Sequence, residues 1–176
     1  EIQRMDLSDL YLKLRAVDIC PKALDWFETP PESSLEAARA ALIKIGALRE
    51  EDDCITTLGT EVSRLGLHPR LGASLVEGKK RDCLPAVALT FAMLENRPPL
   101  AGKITPVNAL DQPWTSDDHF DGESDLLVFL QAYEYAKKVN FAKESCMSAG
   151  IHALRCMEAE QIAIQTCRQV GLLEFN

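Results

Sequence analysis

Apolar positions fall three and four residues apart through most of this chain, the period of helices that bury one face. Leu7, Leu10, Tyr11, Leu14 and Val17 predict a first helix, with Asp6 or Ser8 able to cap it. Pro21 follows closely, where a helix should already have stopped. Trp26 and Phe27 are expected to anchor a short apolar turn in the core. Past Thr29-Pro30-Pro31 a longer helix is predicted, buried along Leu35, Ala38, Leu42 and Ile45 and ended by Gly46. Residues 50–53 read as a tight acidic turn and 54–57 as a returning strand. Val62 and Leu65 belong to a short helix stopping near Gly66, and Pro69 restarts the chain with Leu71, Leu75 and Val76 inward, to about Gly78. Asp82 is expected to cap the next helix, with Val87, Phe91 and Leu94 inward and Arg97-Pro98-Pro99 at its end. Residues 100–123 show no period, and a loop of that length is as a rule functional or disordered. Two last helices are predicted, over 124–139 (Leu126, Leu127, Phe129, Leu130, Tyr133) and 143–170 (Ile151, Leu154, Ile162).

An amphipathic helix, a short polar hairpin and a helix opening at Thr57-Leu58-Gly59 follow one another in the order that builds a winged helix. At 176 residues, 47% hydrophobic and 26% charged, the chain suits one domain of ordinary size or two small ones sharing a core. No apolar run approaches the ~18 residues of a membrane span, so no membrane partner is expected. Neither a leader nor an initiating methionine opens the chain, and a piece of a longer protein is expected. The six cysteines lack CxxC spacing and read as reduced, buried thiols of an intracellular protein, cytoplasmic or nuclear, with no metal site.

Net charge of −8 argues against a free-standing nucleic-acid binder. Only the window 61–100 is basic, with Arg64, Arg70, Lys79, Lys80, Arg81 and Arg97 against Glu61, Glu77, Asp82 and Glu95. Any phosphate contact is expected there, although Lys79-Lys80-Arg81 also reads as a solvated turn. Catalytic motifs are absent: the chain holds no GxxxxGK[ST] loop, no GxSxG elbow and no HExxH pair. His119 and the carboxylates of Asp121, Glu123 and Asp125 could hold a ligand, but they lack calcium-loop spacing and read more simply as a helix start. His68 and His152 are isolated, each a packing or surface histidine.

Several segments, in order, resemble the region that follows the two motor domains of DEAH/DExH-box RNA helicases. EIQR and LSDLYLKLRAVDI look like the entry and first helix of that region's winged helix, and FETPP like the break before its longest helix. IGAL, TTLG and LGLHPRLG resemble the crossing into a helical bundle, the ratchet domain, and CLPAVALTFAML its next helix. Residues 119–127 and 151–167 are similar to the start of a later helix and to the long final helix. The resemblance implies a mainly α fold, a winged helix with a small β-hairpin (1–58) packed on a helical bundle (59–176). It implies an accessory fragment of an ATP-dependent RNA helicase, lining part of a nucleic-acid channel and coupled to RecA-like motor domains that are not in this sequence. ATP and Mg2+ would belong to the parent protein and no cofactor to this fragment, which is not itself an enzyme. Single-stranded RNA, the RecA-like domains and protein cofactors are the implied partners. Arg70, Lys79, Lys80, Arg81 and Arg155 are the expected backbone contacts. In the final helix the stretch HALRCMEAEQIA departs from the family, keeping only Arg155 with Glu158 and Glu160 nearby. An adaptor derived from a helicase is therefore one alternative. A winged-helix DNA-binding regulator is another, though its recognition helix would offer only Arg39 and Lys44.

Overall fold

Leu7 holds the N-cap position of the first helix, α1 (Ser8–Ala16), without a side-chain bond, and Asp6 just before it accepts the Ser8 amide on its Oδ1 at 2.8 Å. Hydrogen bonds from Ser8, and then from His68, hold its carboxyl down at about 2. The computed structural model describes residues 6–101, 114 and 124–171. They are mainly helical, and the chain divides into two compact units, residues 1–82 and 83–176. In α1 the buried residues are Ser8, Tyr11 and Leu12. Leu10 lies across the helix from them and is exposed, and Val17 lies past the helix end, where Asp18 turns to a positive φ of 60°. Trp26 packs against the core of the first unit, its indole N–H donating to Pro21 O at 2.9 Å. Phe27, expected beside it, is fully exposed.

The next helix, α2 (Glu32–Lys44), buries Leu35, Ala38 and Leu42. It ends in a Schellman turn: Gly46, at φ 74°, donates to Ile43 O at 2.8 Å, and Ala47 donates to Leu42 O at 2.9 Å. Where the hairpin is expected the chain forms one isolated antiparallel bridge, Leu48 with Ile55. Asp53, at φ 56°, ties down the turn between them. Its carboxylate meets Arg39 Nε at 2.6 Å and accepts from the Tyr11 hydroxyl at 3.4 Å, while its carbonyl accepts from Arg15 Nε at 2.9 Å.

Thr56 begins α3 (Thr57–Leu65) by capping it, its hydroxyl accepting from Gly59 N at 3.0 Å and donating to Gly46 O at 2.7 Å. Gly59 is pressed against this turn: a Cβ there would stand 2.1 Å from Ala47 O and 2.8 Å from Ile55 Cγ1. The following helix, α4 (Pro69–Lys80), runs two residues beyond Gly78 and buries Leu75 and Val76. Asp82, expected to cap the next helix, instead takes a positive φ of 56°, and Cys83 holds the cap position without a side-chain bond.

In the second unit, α5 (Leu84–Glu95) is apolar nearly all round and buries Leu84, Ala88, Leu89, Thr90, Ala92 and Met93. Val87 and Phe91 are half-buried, and Leu94 faces out. α6 (Asp125–Lys138) buries Val128, Phe129, Ala132, Tyr133 and Ala136, leaving Leu126 and Leu127 exposed. The expected single final helix is broken in two, α7 (Lys143–Ser148) and α8 (Ala153–Gln169), at Gly150. Ile151 there leaves the helix to pair with Leu100, flanked by bonds from Ala101 N to Gly150 O and from His152 N to Pro99 O. α8 packs chiefly on α5 and buries only small side chains, Cys156, Ala159, Ala163 and Cys167. Leu154, expected inward, is exposed, and Ile162 is half-buried. No helix among the described residues is long and apolar enough to cross a membrane.

The cysteines divide evenly: Cys146, Cys156 and Cys167 are buried, Cys20 and Cys83 are exposed and Cys54 is half-buried. Burial pushes the Cys156 thiol up to about 12, and Cys146 and Cys167 upward. Burial, and then the bond at 2.5 Å to Glu160, raises the Tyr133 phenol as well. A group raised on folding contributes stability that is complete below its unfolded pKa and is lost as pH climbs through the folded one. The second unit is therefore expected to lose stability between pH about 9 and about 12, the span from the ordinary thiol to Cys156. Circular dichroism across an alkaline titration checks this; a melting temperature unchanged to pH about 12 would contradict it.

Candidate nucleic-acid interface

Of the cations expected to grip a backbone, the four of the first unit lie at the two ends of α4. Arg70 is the second residue of α4, whereas Lys79 and Lys80 fill its last turn and Arg81 is its C-cap. Ten residues separate Arg70 from Lys80, about 15 Å along a helix. All four are exposed. Lys79, Lys80 and Arg81 cluster where carbonyls end a helix, so each also complements its negative pole. Arg81 Nε is bound to Glu77 at 2.6 Å, an exposed pair one turn apart.

Arg155 belongs to the second unit and has a different setting. α5 stops at Asn96, whose amide side chain donates to Ala92 O at 2.9 Å, because Arg97-Pro98-Pro99 cannot continue it. The chain then runs to Leu100 and meets the start of α8. Half-buried in the first turn of α8, Arg155 donates from Nη1 to Pro98 O at 3.1 Å and Leu100 O at 3.3 Å. Between these elements opens a groove of about 460 Å3, lined by Asn96, Arg97, His152, Leu154, Arg155 and Glu158. Among the described residues, two guanidinium groups, an imidazole and the positive end of a long helix thus meet with a single carboxylate. Such a lining suits a phosphate better than a neutral or cationic ligand.

Of the five expected contacts, the structure gathers Lys79, Lys80 and Arg81 at one end of α4, leaves Arg70 at the other, and sets Arg155 beside Arg97 and His152. His152, read from sequence as isolated, lines this groove and holds the N-cap position of α8. Arg97 stands in the basic window of the sequence, but its place in one groove with Arg155 depends on a fold that bonds Arg155 to Pro98, 57 residues away. Of the acidic run with His119, residues 119–123 lie outside the described residues. Among the described residues no three His, Cys, Asp or Glu side chains converge as a metal site.

No protein-family model matches the chain. Individual proteins do. It is 29% identical over 192 aligned residues to the pre-mRNA-splicing factor ATP-dependent RNA helicase DEAH10 of Arabidopsis thaliana, covering 100% of this chain and 26% of that protein. It is 25% identical to the probable ATP-dependent RNA helicase kurz of Drosophila melanogaster, covering 98% of the chain and 16% of the relative. It is also 25% identical to the ATP-dependent RNA helicase HrpA of Escherichia coli, with 97% and 14% covered. The chain spans about a quarter or less of the length of these curated relatives. Across nearly its whole length, this chain is a homologue of one segment of the DEAH/DExH-box ATP-dependent RNA helicases.

Proposed function

We propose that the chain is an accessory segment of an ATP-dependent RNA helicase, a winged helix followed by a ratchet-type helical bundle. Its near-complete alignment with RNA helicases from a plant, an insect and a bacterium carries the reading. The winged helix (1–58) takes in α1, α2 and the single-bridge turn up to the start of α3, and the bundle (59–176) takes in the rest of α3 and the helices that follow. ATP and Mg2+ act in the parent's motor domains, and this segment forms part of the wall along which single-stranded RNA passes. Arg155, with Arg97 and His152, holds phosphates in the groove at the head of α8, and Arg70, Lys79, Lys80 and Arg81 add contacts along α4. Gripping phosphates without reading bases suits a wall past which any sequence must move.

A fluorescently labelled oligouridine titrated with the chain tests this by anisotropy at several salt concentrations. Weak binding that fades as salt rises is expected, and Arg97→Ala should reduce the logarithmic salt slope by about 0.7, one single-strand phosphate contact. Arg97→Glu should weaken binding about tenfold at low salt. Arg97 is the cleaner position, because Arg155 also holds the Pro98 and Leu100 carbonyls. Binding indifferent to salt, or to both Arg97 variants, sinks the assignment.

A second reading, a helicase-derived adaptor, is favoured by the net charge of −8 and by Glu158 in the groove. The DNA-regulator reading gains nothing, since Arg39 on α2 is engaged by Asp53 and by Glu50 O.

A further inference from the structure

Beside the cationic groove, and sharing His152 and Leu154 with it, lies a second and larger one of about 630 Å3. Its lining is apolar, chiefly Phe141, Met147, Ile151, Leu154 and Met157, with Lys143 at its edge. Met147, Leu154 and Met157 are exposed by 66%, 57% and 45%. Three large apolar side chains at one concave surface are not the scattered exposure of an ordinary surface. Their spacing on α8, Leu154 and Met157 three residues apart, presents them on one side of the helix.

We propose that this groove docks an amphipathic helix of a protein partner, with apolar side chains seated on Met147, Leu154 and Met157 and acidic side chains along the edge facing Lys143 and His152. Charge decides the occupant. Lys143 lines the groove itself, Arg97 and Arg155 stand in the adjoining one, and among the described residues Glu158 is the one carboxylate lining either. That edge attracts an acidic helix and repels a basic one. The floor argues for side chains and not nucleobases. Among the described residues its one aromatic ring, Phe141, is half-buried and engaged by Tyr133, the ring centroids 6.1 Å apart, whereas bases want exposed aromatic platforms. Two flexible methionines instead repack readily around the apolar face of a helix. Lys143, Met147 and Met157 line only this groove, so variants there test the proposal apart from the RNA reading, which rests on the other groove.

The probe is a designed 18-residue helix with leucines on one face and glutamates on the other, labelled and titrated against the chain by anisotropy. Its counterpart carries lysine at every glutamate. The acidic peptide is expected to bind at least tenfold more tightly than the basic one. Met147→Gln with Met157→Gln should weaken the acidic peptide about tenfold, and Lys143→Glu should weaken it while strengthening the basic peptide. That reversal is something a merely unfolded variant could not produce, and these three positions are exposed, so circular dichroism should show no loss of helix. Equal affinity for both peptides, or no binding, overturns the proposal. So does oligouridine binding lost with the methionine pair, which makes the groove an RNA surface. A dimer of the chain that the methionine pair dissociates in sedimentation also overturns it, because the occupant is then a second copy.

Discussion

Gly59→Ala should unfold much of the first unit, with a loss of at least about 3 kcal/mol, the upper end of overpacking costs. The added methyl would sit 2.1 Å from Ala47 O and 2.8 Å from Ile55 Cγ1. The side chain of Ile55 can shift, but the Ala47 carbonyl cannot. It accepts the Thr56 amide at 3.0 Å, and Ala47 itself is pinned by its bond to Leu42 O. Relief therefore requires α3 to lift off this turn, which also draws Thr56 away from its bonds to Gly59 N and Gly46 O. Alanine is the better helix former by up to about 1 kcal/mol, so propensity alone predicts a gain. The two expectations have opposite signs. A melting temperature lowered by roughly 15 °C is the expected size for a unit of this length. Hydrogen exchange should show the amides of α2, the turn and α3 losing protection while those of the second unit keep theirs. An unchanged or raised melting temperature rules out the close approach.

What the sequence makes legible in this fold is what neighbours in the chain decide. Thr56 and Gly59 are three residues apart, and Gly46 and Ala47 finish the helix that precedes them, so cap and stop can be read from the string. Leu10, Leu94 and Leu154 mislead for a common reason. Counting large apolar residues finds the buried face only where the partner element leaves room for them. On α8 the inward face is Cys156, Ala159, Ala163 and Cys167, residues too small to dominate a hydrophobic period. Phe27 shows the converse, a large aromatic left outside while Trp26 beside it packs inward. The candidate site was half legible. Arg155 stands out as the arginine left in its stretch of α8, but its groove needs Arg97 and His152, brought to it by Pro98, Pro99 and the Leu100–Ile151 bridge. Asp53 is the same lesson in the first unit: it looks like one acid in a polar turn, and only the fold supplies Arg39, Tyr11 and Arg15 around it.

Ala163→Leu should be the most damaging small change in the second unit. Ala163 has no exposed surface, and its neighbours on the buried side of α8, Ala159 and Cys167, are nearly as enclosed. A seam this narrow lets α8 lie close on α5, whose own buried face carries the bulk in Leu84, Leu89 and Met93. Three more carbon atoms at Ala163 find no free volume, so α8 must tilt or withdraw, at an expected cost of about 2 to 3 kcal/mol. The displacement reaches the site, because α8 also positions Arg155 against the Pro98 and Leu100 carbonyls. Oligouridine binding should therefore weaken together with stability, although Ala163 does not line the groove. Gln165→Leu is the control: it adds an apolar side chain two residues along on the exposed side and should change stability by no more than about 0.5 kcal/mol. If both variants melt alike, close packing of α8 does not hold this unit together. If Ala163→Leu melts early but binds RNA as before, the grip lies with α4 and not with Arg97 and Arg155.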